Sequence, residues 1–151
     1  LRFLLDINVL IALIDPAHIS HDAAHRWFET QGQTAWATCP LTENGVIRIV
    51  GHPKYPGTPG SPAKVAALVT QLRTLEGHVF WPDDLSLVGD ERITVARVLT
   101  SGQVTDTYLL ALAASHGGRL ASFDRRLAVN AVNGGKAAFH LITEPSAARA
   151  D

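Results

Sequence analysis

The sequence predicts an α/β domain, with three layers α/β/α built on a mostly parallel central sheet. Three observations carry this expectation. Short apolar, strand-like segments alternate with segments of helical period, and connection rules turn that alternation into parallel pairing with helices on both faces. The chain of 151 residues is 46% apolar and 18% charged, the size and composition of one globular domain. No internal repeat or low-complexity tract points to another architecture.

The elements follow in order. Phe3-Leu4-Leu5 reads as a buried strand that ends at Asp6. Asn8 is the candidate cap of an apolar helix from Val9 to Ile14, stopped by Asp15-Pro16. Ser20 caps a second helix, with Ala23, Ala24, Trp27 and Phe28 at helical spacing and Gly32 at its close. Ala35 to Cys39 forms a short strand, and Pro40 opens a third helix that ends at Gly51. The Pro- and Gly-rich segment His52 to Pro62 is a loop, too short to separate a pair of domains. Ala63 to Leu75 is an amphipathic helix, and His78 to Trp81 is a strand broken by Pro82. Asp90 is expected to cap a helix running to about Leu99. After a loop from Ser101 to Thr105, Asp106 to His116 is helical and Gly117-Gly118 ends it. Arg119 to Phe123 is a strand ending at Asp124, a short helix is expected from Arg125, and Phe139 to Ile142 is the last strand.

Composition excludes several classes. A chain of this length should bury roughly 68–70% of its unfolded surface, so it needs no covalent staples. The single cysteine, Cys39, rules out an internal disulfide framework and suggests a reducing compartment, hence an expected cytoplasmic location. Thirteen Lys and Arg against fourteen Asp and Glu give a net charge of -1, which excludes binding to nucleic acid by bulk charge. The longest apolar run, Tyr108 to Ala114, is far short of a membrane span of roughly 20 residues, and Arg2 leads into a run too short for a secretory signal.

The informative feature is where the acids sit. Ligands of open α/β sheets bind outside the carboxyl ends of the strands. Asp6 and Asp124 each end a strand. Asp106 to His116 is a descent of roughly 15 Å along a helix. The strand from Arg119 to Asp124 climbs back roughly 16 Å, so Asp106 and Asp124 should be level. Glu43 lies in the first turn of the helix after the second strand, at the same end. Four carboxylates thus share one rim if the sheet is parallel. Two of them about 5 Å apart would repel by roughly 3 kcal/mol at an effective dielectric near 20. Such a set raises its pKa values or holds a cation. No Lys or Arg lies beside Asp6 or Glu43 to offset them, and oxygen-only ligands suit Mg²⁺ or Mn²⁺. Each acid alone has a plainer reading: Asp106, Asp124 and Asp90 as helix caps, Glu43 as a first-turn acid facing the helix dipole. Asp6 is the exception, because a carboxylate between an apolar strand and an apolar helix is expensive without a function.

At these residues the sequence resembles the PIN-domain family and, within it, the VapC-type toxins of bacterial toxin–antitoxin pairs. The likeness rests on Leu4-Leu5-Asp6-Ile7-Asn8-Val9-Leu10, on Leu41-Thr42-Glu43, and on Val104 to Leu109 followed by Gly117 to Asp124. It covers nearly the whole chain, with residues 1–143 as the PIN-like domain and 144–151 as a loosely held tail. The resemblance implies an endoribonuclease dependent on Mg²⁺ or Mn²⁺ that leaves a 5′-phosphate and a 3′-hydroxyl. Asp6 and Asp106 would be the principal metal ligands. Asp124 would complete the site directly or through water, and Glu43 would help bind metal or orient the attacking water. Asn8 and Ser122 would be supporting polar groups, with Ser122 holding Asp124 in position. The resemblance also implies an RNA substrate, a cognate antitoxin whose tail wraps the toxin, a homodimer, and no membrane partner.

Other features are read more plainly. Arg125 and Arg126 follow Asp124 and could meet the RNA backbone, although solvated helix-end charge is the simpler reading. His21 and His25, one turn apart, read as a surface pair rather than a metal site. His52, Lys54 and Tyr55 are candidate substrate contacts in the loop. Two other functions compete. A haloacid-dehalogenase-like phosphatase usually has D-x-D after the first strand, where this chain has Asp6-Ile7-Asn8. A non-catalytic PIN-like module for RNA or protein binding would be marked by lost acids, and all four are present.

Overall fold

The computed structural model describes residues 1–144; the expected loose tail otherwise lies outside the described residues. Five strands form one sheet: β1 (Phe3–Leu5), β2 (Trp36–Thr38), β3 (His78–Phe80), β4 (Arg119–Ser122) and β5 (Phe139–Leu141). Their order is β3-β2-β1-β4-β5 and every neighbouring pair is parallel. The helices are α1 (Ile7–Ile14), α2 (His21–Trp27), α3 (Pro40–Val50), α4 (Pro62–Arg73) and α5 (Val104–Ser115).

Alternation along the strands divides the core into two layers. Phe3, Leu5, Trp36 and Ala121 face one side and pack with Leu10 of α1, Ala24 of α2, Val46 of α3 and Val65 of α4. Leu4, Ala37 and Leu120 face the other side and pack with Leu109 and Leu112 of α5. Irregular chain completes this second layer, through Trp81, Ile93, Leu127 and Val132. Strands buried on both faces account for their unbroken apolar runs.

The turn between α5 and β4 sets the level of the rim. Gly117 takes φ 68°, a left-handed conformation suited to a helix end. A Cβ on Gly118 would stand 2.5 Å from the Arg2 carbonyl oxygen, so only glycine lets β4 start directly against β1. Arg119 then pairs with Phe3, and Ala121 with Leu5.

Four expectations are corrected. Asp6, not Asn8, caps α1: its side chain accepts the Ile7 N–H, and Asn8 is an exposed residue within the first turn. No α-helix runs from Asp90 to Leu99. Instead Ile93 bridges Val132 antiparallel, Thr94 N–H donates to the Ala131 carbonyl, and only Val95–Arg97 forms a 3₁₀ turn. The β-branched run Ile93-Thr94-Val95 favours this extended path. No helix starts at Arg125 either, because the Asp124 carboxylate accepts the Arg126 N–H and turns the chain locally. Finally, α5 begins at Val104, after a 3₁₀ turn over Ser101–Gln103, so Asp106 lies inside its first turn.

Candidate active site

In this strand order the connections diverge on either side of β1, which opens a crevice at the carboxyl ends of β1 and β4. Asp6 is the first residue beyond β1, and Asp124 is the second beyond β4. Asp106 approaches from α5, on the second layer.

Asp6 is 6% exposed. Its Oδ1 accepts the Ile7 N–H at 2.8 Å and its Oδ2 accepts the Ser122 hydroxyl at 2.6 Å. Burial raises its pKa, the Ser122 and Ile7 hydrogen bonds oppose that rise, and the Asp124 charge adds to it. Asp106 is pushed up to about 6, first by burial and then by repulsion from Asp6 and Asp124. The three carboxylates therefore feel one another, as their positions along the chain predict. Among the described residues none of the three has an ion-pair partner.

Ser122, fully buried, joins two of them. Its hydroxyl donates to Asp6 and accepts the backbone N–H of Asp124 at 3.1 Å. It thus holds the Asp6 side chain and the Asp124 main chain together.

Glu43 is held differently. The Thr38 hydroxyl donates to Glu43 Oε2 at 2.6 Å, because a carboxylate only accepts. That hydroxyl in turn receives the Nε2–H of His78 at 2.8 Å. Burial, followed by the charges of Arg73 and Arg2, pushes His78 down to about 4, so it is a neutral donor at pH 7. Arg73 Nη1 lies 3.3 Å from Glu43 Oε1. The expectation that no cation offsets Glu43 is thereby corrected: its partner comes from the last turn of α4, thirty residues away.

The remaining residues divide clearly. Arg125 and Arg126 are exposed beside Asp124 and make no ion pair among the described residues. His21 Nδ1 and His25 Nε2 reach the carbonyls of Ala12 and Leu13 at the end of α1, at 2.7 and 2.9 Å. They are partly buried helix-end partners rather than a free surface pair. Tyr55 donates to Asp15 Oδ2 at 2.5 Å, which sets the loop at the far end of α1 from Asp6. His52, Lys54 and Tyr55 are thus remote from the acidic rim. Sequence reasoning missed Thr38, His78 and Arg73. Thr38 had a signal, a polar residue ending the apolar strand Trp36-Ala37; Arg73 had none.

Among the described residues, no three His, Cys, Asp or Glu side chains are already drawn together as a metal shell. The donor chemistry of the rim still fits a hard divalent cation. It offers only oxygen, its carboxylates repel, and Mg²⁺ takes one or two carboxylates while keeping several waters.

The geometry defines a class: parallel α/β domains with acids from the first strand, the next-to-last strand and the helix before it gathered at one sheet end. The PIN domain profile matches residues 3–133, and the chain belongs to the PIN domain family. It is 40% identical over 134 residues to Ribonuclease VapC44 of Mycobacterium tuberculosis, covering 89% of this chain and 94% of that protein. It is 44% identical over 131 residues to Ribonuclease VapC39 of the same organism, covering 87% and 94%. A third relative there, Ribonuclease VapC38, is 41% identical over 121 residues, covering 80% and 84%.

Proposed function

We propose that this protein is a metal-dependent endoribonuclease, the toxin of a toxin–antitoxin pair, working through Mg²⁺ or Mn²⁺ in the cytoplasm. The observation that carries the reading is the uncompensated set Asp6, Asp106 and Asp124 at the end of a parallel sheet. The names of the relatives, all ribonucleases, agree with it.

Asp6 and Asp106 would hold the metal, with Asp124 completing its surroundings. A divalent ion there supplies Lewis acidity toward the phosphodiester and a more acidic water. Ser122 fixes the Asp6 carboxylate in one orientation, so the ligand is set before the ion arrives. Glu43, tethered by Thr38 and Arg73, steers the attacking water from the side of β2. Asn8, exposed in the first turn of α1, and Arg125 and Arg126, exposed beside Asp124, face the substrate strand. The attack leaves a 5′-phosphate and a 3′-hydroxyl. Residues 1–143 form the catalytic domain. A homodimer and a cognate antitoxin that sets a cation among the acids complete the assembly.

The test is direct. Purified protein, free of any partner, is incubated with RNA and Mg²⁺ or Mn²⁺, with EDTA and Asp6→Asn as controls. Cleavage that both controls abolish supports the reading. Cleavage that survives both overturns the metal–carboxylate mechanism, and turnover of small phosphate esters without RNA cleavage favours a phosphatase.

A further inference from the structure

Phe80 ends β3, is 42% exposed as a residue, and lies on the side of the sheet that carries Glu43. The Arg73 guanidinium lies over the Phe80 ring, 5.2 Å from Cζ to centroid, and its side chain is 41% exposed. One N–H of Arg73 is used on Glu43, and the remaining donors have no partner among the described residues. Beside an oriented cation, an exposed aromatic ring makes a ready stacking surface.

Register fixes where this pair stands. Phe80 pairs with Thr38 at the end of β2, and β2 pairs with β1, which ends at Asp6. Two strand spacings of about 4.8 Å separate β3 from β1, so the pair flanks the acidic centre along the same sheet end. Arg73 is moreover bonded to Glu43, which ties the two places mechanically.

We propose that Phe80 and Arg73 form a nucleotide subsite for single-stranded RNA, taking the unit next to the bond that is cut. The base stacks on the Phe80 ring and the guanidinium plane, and the adjoining phosphate accepts from the free Arg73 donors. Charge favours this occupant over a protein strand added to the β3 edge. The ring's neighbour is a cation with unused donors, and every nucleotide brings both an aromatic face and an anion. The inference rests on the ribonuclease reading. It adds to that reading a place for the substrate away from the metal.

The experiment uses the full chain with a short fluorescein-labelled single-stranded RNA. Phe80→Leu and Phe80→Ala raise KM about five- to tenfold and leave kcat nearly unchanged, while Phe80→Tyr keeps the parental KM. Arg73→Gln lowers the salt dependence of RNA binding by about one charge. Binding is also read by anisotropy in an Asp6→Asn background, where no cutting confuses the midpoint. Unchanged KM and midpoint in both Phe80→Leu and Phe80→Ala overturn the subsite, as does an effect of these variants confined to dimer mass or to capture of a protein partner. If the unaltered chain cuts no RNA, the ribonuclease reading fails first. If it cuts and the Phe80 variants match it, only the subsite fails.

Discussion

The rim holds two kinds of acid. Asp6, Asp106 and Asp124 come from the ends of β1, α5 and β4; the Asp124 charge raises Asp6, Asp6 and Asp124 together raise Asp106, and none of the three has an ion-pair partner among the described residues. Glu43 comes from α3 and has what they lack: an arginine, and a hydroxyl donor backed by an imidazole. One set is left in need of positive charge, and the other is already satisfied. On the proposed reading, electrostatic need, rather than acidity as such, separates the carboxylates that would hold a metal from the one that would act as a positioned helper.

The largest test of that contrast is removal of need. Asp6→Asn and Asp106→Asn should each lower RNA cleavage by about a hundredfold or more, measured as single-turnover rates at saturating Mg²⁺. Equal losses from Thr38→Val would erase the distinction between the two kinds of acid.

Next comes the bridge. Ser122→Ala deprives Asp6 Oδ2 of its donor and should cost about 1–3 kcal/mol in urea unfolding. Cleavage should fall roughly 10- to 100-fold, as for other residues that orient a metal ligand. The same hydrogen bond holds the Asp6 pKa down, so its loss moves the acid limb of the pH–rate profile to higher pH.

A smaller effect concerns stability and pH. Asp106 stands at about 6 in the fold against an ordinary 3.8, so the folded state holds the extra proton. Its contribution to stability is present below about pH 4, is lost as pH rises through about 6, and stays lost at neutral pH. Asp106→Asn should therefore melt about 2–4 °C above the unaltered chain at pH 7 without metal. Addition of Mg²⁺ or Mn²⁺ should raise the melting point of the unaltered chain more than that of the variant. The opposite order would mean that the cluster repels less than its burial implies.

Smallest is the satisfied acid. Arg73→Gln opens a half-exposed ion pair and should change unfolding free energy by less than about 1 kcal/mol. Its effect on the salt slope of RNA binding should be plain by comparison.

Legibility in the sequence followed the same division. The common level of Asp106 and Asp124 could be counted from run lengths, because a helix and the strand after it return over the same distance, and Asp6 joined them as the end of a parallel strand. The partner of Glu43 could not, since Arg73 approaches from another helix through space. The turn of the chain after Asp90 was misread as a helix for a related reason. Ile93 pairs with Val132, thirty-nine residues on, and that long-range bridge fixes the extended path its β-branched run already favours. The segment after Asp124 failed locally, because the same carboxylate that marks the site also bends the backbone there.

The hydrogen bond from Ser122 to Asp6 spans 116 positions of sequence. A ribosome adding about 5–20 residues per second makes Asp6 several seconds before it makes Ser122 and Asp124. During that interval the growing chain carries Asp6 without its orienting hydroxyl or its acidic neighbours. The centre is complete only once β4 has joined β1, so a chain stopped short of Ser122 carries Asp6 without the hydroxyl that orients it.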